Sequence, residues 1–148
     1  DGRWSYNDEN GQIRREENYD YGELYLINSW NIEGELLVKD GNGRITTYHD
    51  NGQIQNEKKY KNGKIIDGNN IWYYNNGQIR LSQYYKDGKL NGKQILYFKN
   101  GNISYFQKVN IKSEGNSKDG WKDGKWTYYN EDGSIDKVEK YKDGELIN

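Results

Sequence analysis

The stretch GKWTYYNEDGSIDKVEKYKDGEL, residues 124–146, decides the fold. It reads as a strand, a glycine turn, a second strand and a second glycine turn. Laid over the chain, it fits five times. The paired glycines are Gly2/Gly11, Gly43/Gly52, Gly68/Gly77, Gly92/Gly101 and Gly124/Gly133, each pair nine residues apart. Two residues after the second glycine comes Ile13, Ile54, Ile79, Ile103 or Ile135. Eight residues after it comes Tyr19, Tyr60, Tyr85, Val109 or Tyr141. Self-similarity at a period of 24–25 residues is the signature of a repeat architecture.

The local chemistry names the element type. Fifteen of the 18 glycines directly follow Asn or Asp, and these dipeptides supply the positive φ angles of tight hairpin turns. Short runs of Tyr, Trp, Ile and Thr between them favour strands. The fold class expected is all-β: an elongated, single-layer antiparallel β-meander of about five tandem hairpins. The copies fall near 2–24, 43–66, 68–90, 92–111 and 124–146 within one domain spanning 1–148. Between the first two, LYLINSW (24–30) and ELLV (35–38) form an irregular hairpin within 25–42, joined through 31–34. Before the last copy the spacing lengthens to 32, and NIKSEGNSKDGWKDG (110–124) reads as a polar loop.

Recurrence between copies also sets the faces. Asn7, Tyr48, Tyr73, Tyr97 and Tyr129 pair with the five isoleucines if each hairpin loop has three residues and ends on glycine in a bulge conformation. That geometry puts them on a core face with Ser5, Thr46, Ile71, Ile95, Thr127 and the tyrosines at plus eight. Trp4, Tyr6, Trp72, Tyr74, Tyr84, Leu96, Phe98, Phe106, Trp126 and Tyr128 then share the opposite face with Lys, Glu, Asn and Gln. A two-residue loop would exchange the two assignments, because a one-residue register change inverts every side chain.

Composition bounds the function. Leu, Ile, Val and Phe make only 27 of 148 residues, so Tyr and Trp must supply most of the buried area. The chain has no cysteine, which excludes disulfides and thiol chemistry, and its net charge of −1 offers no basic field for nucleic acid. No apolar run approaches a membrane span. No cofactor or metal is expected: the Asp-Gly and Asn-Gly loops at 40–43 and 119–124 lack the alternating oxygen ligands and closing glutamate of a calcium loop. No catalytic residue is assigned either. His49 is the single histidine and reads as a solvated side chain flanking a turn, and the pairs Glu16/Glu17 and Glu131/Asp132, with Glu139, lie on polar strand faces or in turns. Asn102-Ile103-Ser104 is a formal glycosylation sequon that overlaps a strand start.

The aromatic second face is what could carry function. Trp72, Tyr74, Tyr84, Phe98 and Phe106 are the expected contacts for a protein partner, rimmed by polar residues. Open sheet edges leave self-association as a further expectation.

The copies 124–146 and NNIWYYNNGQIRLSQYYKDGKLNG (69–92), with ELYLINSWNIEGELLVKDGNGRITTYHDNGQI (23–54), resemble the MORN-repeat variant family of YwqK-like antitoxin repeats. The resemblance covers nearly the whole chain. It implies a β-meander of hairpins and a non-enzymatic binding role, with a protein partner such as a toxin, in exported or lipid-anchored bacterial proteins. Against the family pattern stand Asn7, Val109 and Lys112, where other copies carry tyrosine, tyrosine and the second-turn glycine. A second resemblance joins GWKDGKWTYYNEDGSI (120–135) to the choline- and glucan-binding repeats of bacterial surface proteins. It implies carbohydrate or choline contacts at Trp121, Trp126 and Tyr128.

Overall fold

The structure is a computed structural model that describes residues 1–99 and 110–147. Among the described residues there is no helix; the chain runs through 14 strands. They are β1 (Gly2–Asn7), β2 (Ile13–Asp20), β3 (Glu23–Trp30), β4 (Leu36–Lys39), β5 (Asn42–Tyr48), β6 (Ile54–Lys61) and β7 (Lys64–Ile65). Then follow β8 (Gly68–Tyr73), β9 (Ile79–Lys86), β10 (Lys89–Tyr97), β11 (Ile111–Lys118), β12 (Trp121–Tyr129), β13 (Ile135–Lys142) and β14 (Glu145–Leu146). The hydrogen-bonded order follows the chain, with β7 set aside on β6, so the fold is an open antiparallel β-meander of hairpins.

Two kinds of turn alternate. At Gly11, Gly52, Gly77 and Gly133 the loop has three residues: Asp8 donates to the Gln12 carbonyl, His49 to Gln53, Tyr74 to Gln78 and Asn130 to Ser134. Gly11, Gly52, Gly77 and Gly133 close these loops at φ of 80, 80, 79 and 84°, the left-handed conformation that glycine adopts without steric cost. Between hairpins the turns are X-Gly pairs with both residues at positive φ, as type I′ turns require. Asn or Asp fills the first place, except at Tyr21.

The chain forms two compact units. The first comprises Asp1–Thr46 and Glu57–Ile66. Its interior is built on Leu26 and Val38, 1% and 0% exposed. Beside them the main chain closes a relay: Gly41 donates to Ile27, Gly63 to Gly41 and Leu26 to Gly63. Any Cβ on Gly41 would run into the Gly63 backbone, so this approach is open only to glycine. The hairpin of β3 and β4 is the irregular 25–42 hairpin expected from the sequence, closed where Gly34 donates to Asn31.

The second unit comprises Thr47–Asn56 and Asp67–Asn148. Much of what lies buried on one of its faces is amide rather than hydrocarbon. Asn56 donates to the Asn70 side chain at 3.0 Å and to the Ile71 carbonyl at 2.8 Å. Asn70 pairs across the strands with Gln83, which donates to Gln94 at 2.9 Å, and Gln94 donates to the Ser117 hydroxyl. A row of polar groups is tolerated inside only because its members satisfy one another. Neighbouring hairpins are also stitched at their loops: Nε2 of His49 bonds the Tyr73 carbonyl at 3.0 Å, and the Tyr74 hydroxyl donates to the Tyr97 carbonyl at 2.6 Å. His49 is therefore a half-buried bridge between copies, not a solvated side chain.

Three sequence expectations are corrected here. The expected pairing of Asn7, Tyr73 and Tyr129 with Ile13, Ile79 and Ile135 is present. Directly after each of these isoleucines, however, one extra residue (Arg14, Arg80 or Asp136) is unpaired, so Tyr6 meets Arg15, Trp72 meets Leu81 and Tyr128 meets Lys137. Such a bulge inverts the side-chain parity of everything that follows. Tyr19, Tyr85 and Tyr141 thus face with Trp4, Trp72 and Trp126, not with the isoleucines.

Burial is the second correction. Trp126, expected on the outer face, is 6% exposed, whereas Ile13, Ile54, Ile79 and Ile135 are 36–59% exposed. The third concerns 110–124, which is not a loop. Ile111–Lys118 is a strand that pairs Tyr97 with Ile111, Leu96 with Ser113 and Gly92 with Ser117. Ser113, Gly115 and Ser117 alternate inward there, small residues that leave room for what packs above them. Ile111 and Ser117 thereby take the places assigned to Ile103 and Val109, both of which lie outside the described residues, as does the sequon at 102–104.

Candidate binding surface

The best-defined side-chain cluster lies in the last hairpin, on the face of Trp126. Strands β12 and β13 set Trp126 opposite Glu139, Tyr128 opposite Lys137 and Gly124 opposite Tyr141. Trp126 and Tyr141 meet edge to face, 6.5 Å between ring centroids at 75°. The Lys122 ammonium lies 4.4 Å from the Trp126 ring, 4.6 Å from Tyr141 and 5.3 Å from Tyr128, and it donates to the Tyr128 hydroxyl at 2.7 Å. A cation held over three π faces is stabilised by their quadrupoles. Beneath, Gly115 leaves the space that the indole occupies, and the indole nitrogen donates to Asn116 at 3.0 Å.

Glu139 organises the hydroxyls. It accepts from Lys137 and from Tyr141, both at 2.7 Å. Those two hydrogen bonds, Lys137 first, hold its carboxyl down to about 2. Tyr141 is pushed up to about 12, by its hydrogen bond with Tyr128 first and then by Glu139.

The first hairpin carries the same constellation. Trp4 pairs with Glu17, Tyr6 with Arg15 and Gly2 with Tyr19. Arg15 forms an ion pair with Glu17, and the Tyr19 hydroxyl lies 3.4 Å from that carboxylate. Desolvation first, then the charge of Glu17, raises the Tyr6 phenol above its usual range. Here, though, Trp4 is 58% exposed while Glu17 is buried.

The opposite face of the second unit carries exposed apolar side chains at equivalent places in successive hairpins. Ile79, Ile135 and Val138 are exposed on it. Ile71, Ser82, Ile95, Glu114, Thr127 and Val138 are cross-strand partners on this face.

The predicted contact residues do not fall together. Trp72 and Tyr74 lie on the amide-bearing face, Trp72 half-buried and Tyr74 anchored through its hydroxyl. Phe98 is half-buried with the Lys112 ammonium 5.8 Å from its ring. Tyr84 is on the other face, opposite Asn69, because of the bulge at Arg80. Phe106 lies outside the described residues. Trp121 is exposed and packs over Gly144, away from the cage that Trp126 and Tyr128 share with Lys122. Tyr141, Lys122 and Glu139 were missed as members of that cage; the plus-eight recurrence pointed to Tyr141 but was assigned to the wrong face. Among the described residues no three His, Asp or Glu side chains converge as a metal site would need, and no helix is long and apolar enough to cross a membrane.

Equivalent hairpins joined by type I′ turns and stitched loop to loop define a β-repeat scaffold. The family model described as MORN repeat variant matches residues 1–21, 41–62, 66–87 and 122–143, more than half of the chain, and the chain belongs to that family. The copy read from the sequence at 92–111 is not among the matched segments, which accords with its return strand lying at Ile111–Lys118. No curated protein matches the chain.

Proposed function

We propose that this chain is a non-enzymatic repeat scaffold that binds another protein, as an antitoxin or a surface adaptor does. The observation that carries this reading is the recurrence, within the second unit, of exposed isoleucines at 54, 79 and 135, each just after a three-residue loop. Exposed apolar side chains that recur at equivalent places of a repeat mark an interaction surface. Trp72, Tyr74 and Phe98, with Tyr84 on the face opposite Trp72, remain aromatic contacts offered from the sequence, as does Phe106, which lies outside the described residues. Pairing of chains through the edge strands β1 and β14 is a further mode of assembly open to this fold.

The carbohydrate or choline reading keeps Trp121, which is exposed, but Lys122 already occupies the place that a quaternary ammonium would take between Trp126 and Tyr128. Capture from lysate and envelope fractions of the source organism, run beside a glycan array, separates the two. One dominant retained protein is the expected result. Glycan or choline retention lost on Trp121→Ala, with no protein retained, would overturn the scaffold reading.

A further inference from the structure

The chemistry of the isoleucine face narrows the kind of partner it fits, and this inference rests on the scaffold reading above. Within the second unit the apolar positions recur on every second strand: Ile79 on β9, Ile111 on β11 and Ile135 on β13. Adjacent strands lie about 4.8 Å apart, so successive anchors are spaced by about 9.6 Å. Seven residues of α-helix rise about 10.5 Å, two turns that bring side chains i and i+7 back to one face. A helix lying across the strands therefore meets the row in near register.

Charge gives that helix a sign. The same face turns from apolar to basic along the strands, away from the three-residue loops. Lys93 and Lys125 lie there, Lys125 directly across from Lys140, and all three are exposed. The facing carboxylate, Glu114, is already held by Lys93 at 3.1 Å and by the Tyr129 hydroxyl at 2.8 Å. An apolar row beside a lysine row complements an amphipathic segment with acidic residues along one flank.

We infer that the face bearing Ile79 and Ile135, rimmed by Lys93, Lys125 and Lys140, is a docking surface for an acidic amphipathic α-helix of a partner protein. The anchors enter at heptad spacing and the acidic flank meets the lysines.

The test uses the full chain and a synthetic 21-residue helical peptide with leucine at heptad spacing and a glutamate flank. Fluorescence anisotropy should show saturable binding, weakened at least about tenfold by Ile135→Lys. The triple variant Lys93→Glu, Lys125→Glu, Lys140→Glu leaves the isoleucines in place. It should lose the acidic peptide and take up a lysine-flanked version. No binding of the acidic peptide, or binding indifferent to both variants, would overturn the inference. So would binding of phosphatidylserine vesicles without the peptide, or self-association lost on Ile135→Lys. Because the probe is synthetic, its failure leaves the scaffold reading to its own capture experiment.

Discussion

The first and last hairpins spell nearly the same constellation, Trp-x-Tyr on one strand and Arg/Lys-x-Glu-x-Tyr on the next, yet they bury it differently. Trp126 is 6% exposed and Trp4 is 58% exposed. The difference lies outside the shared motif. Trp126 has Gly115 of β11 beneath it and Lys122 of its own strand over it; among the described residues β1 has one strand neighbour, β2. In a repeat array a side chain's burial belongs to the interface with its neighbour as much as to its own repeat.

The comparison breaks first at the two tryptophans. Trp126→Ala should cost about 3–5 kcal/mol in chemical denaturation, the usual range for an aromatic lost from a packed interior. Trp4→Ala should stay within about 1 kcal/mol. Equal losses would mean that exposure does not separate the two sites.

Gly115→Ala is the next largest. Its Cβ would overlap the Trp126 ring, and overpacking of this kind costs about 1–3 kcal/mol. Quenching of tryptophan fluorescence by iodide should rise in the same variant as the indole is displaced.

The charged half of the last cluster is sharpened by pH. Glu139 titrates near 2, below an ordinary carboxyl, so the stability it contributes is present above about 4.5 and drains away as pH falls toward 2. Tyr141 is shifted the other way: its contribution is complete below about 10 and is lost as pH rises through about 12. Melting curves of Glu139→Gln should lose Glu139's share of the acid limb and shrink the alkaline one without abolishing it, because Tyr128 is the first cause of the Tyr141 shift. An unchanged acid limb would remove Glu139 from the account.

The smallest effect sits in the first hairpin. Tyr21 holds φ of 49° in a type I′ place where the described turns otherwise put Asn or Asp. It is almost fully exposed and has little packing to lose. Tyr21→Asn should raise stability by about 0.5–1 kcal/mol, read as a higher melting temperature.

Much of the fold was legible because turn chemistry is local. Asn-Gly and Asp-Gly at fixed spacing announce both turn types, and the three-residue loop gave the Tyr73–Ile79 and Tyr129–Ile135 pairs correctly. The inversion that follows was not legible, because the extra bulge residue is an ordinary polar one: Arg14, Arg80, Asp136. Nothing in such a residue marks it as unpaired. The strand at Ile111–Lys118 was hidden for a related reason: its inward positions are Ser113, Gly115 and Ser117, which read as loop until the indole above them is known. The cage around Lys122 needed the faces to be right before its members could be brought together.

The buried and half-buried run from Asn56 through Gln94 to Ser117 has a thermal consequence. Unfolding this part of the chain wets amides rather than hydrocarbon, and polar hydration lowers the heat capacity where apolar hydration raises it. The second unit should therefore unfold with a heat-capacity increment below the usual ~12–15 cal/mol/K per residue. Its stability should change little between cold and warm conditions, a broad plateau in place of a sharply domed curve.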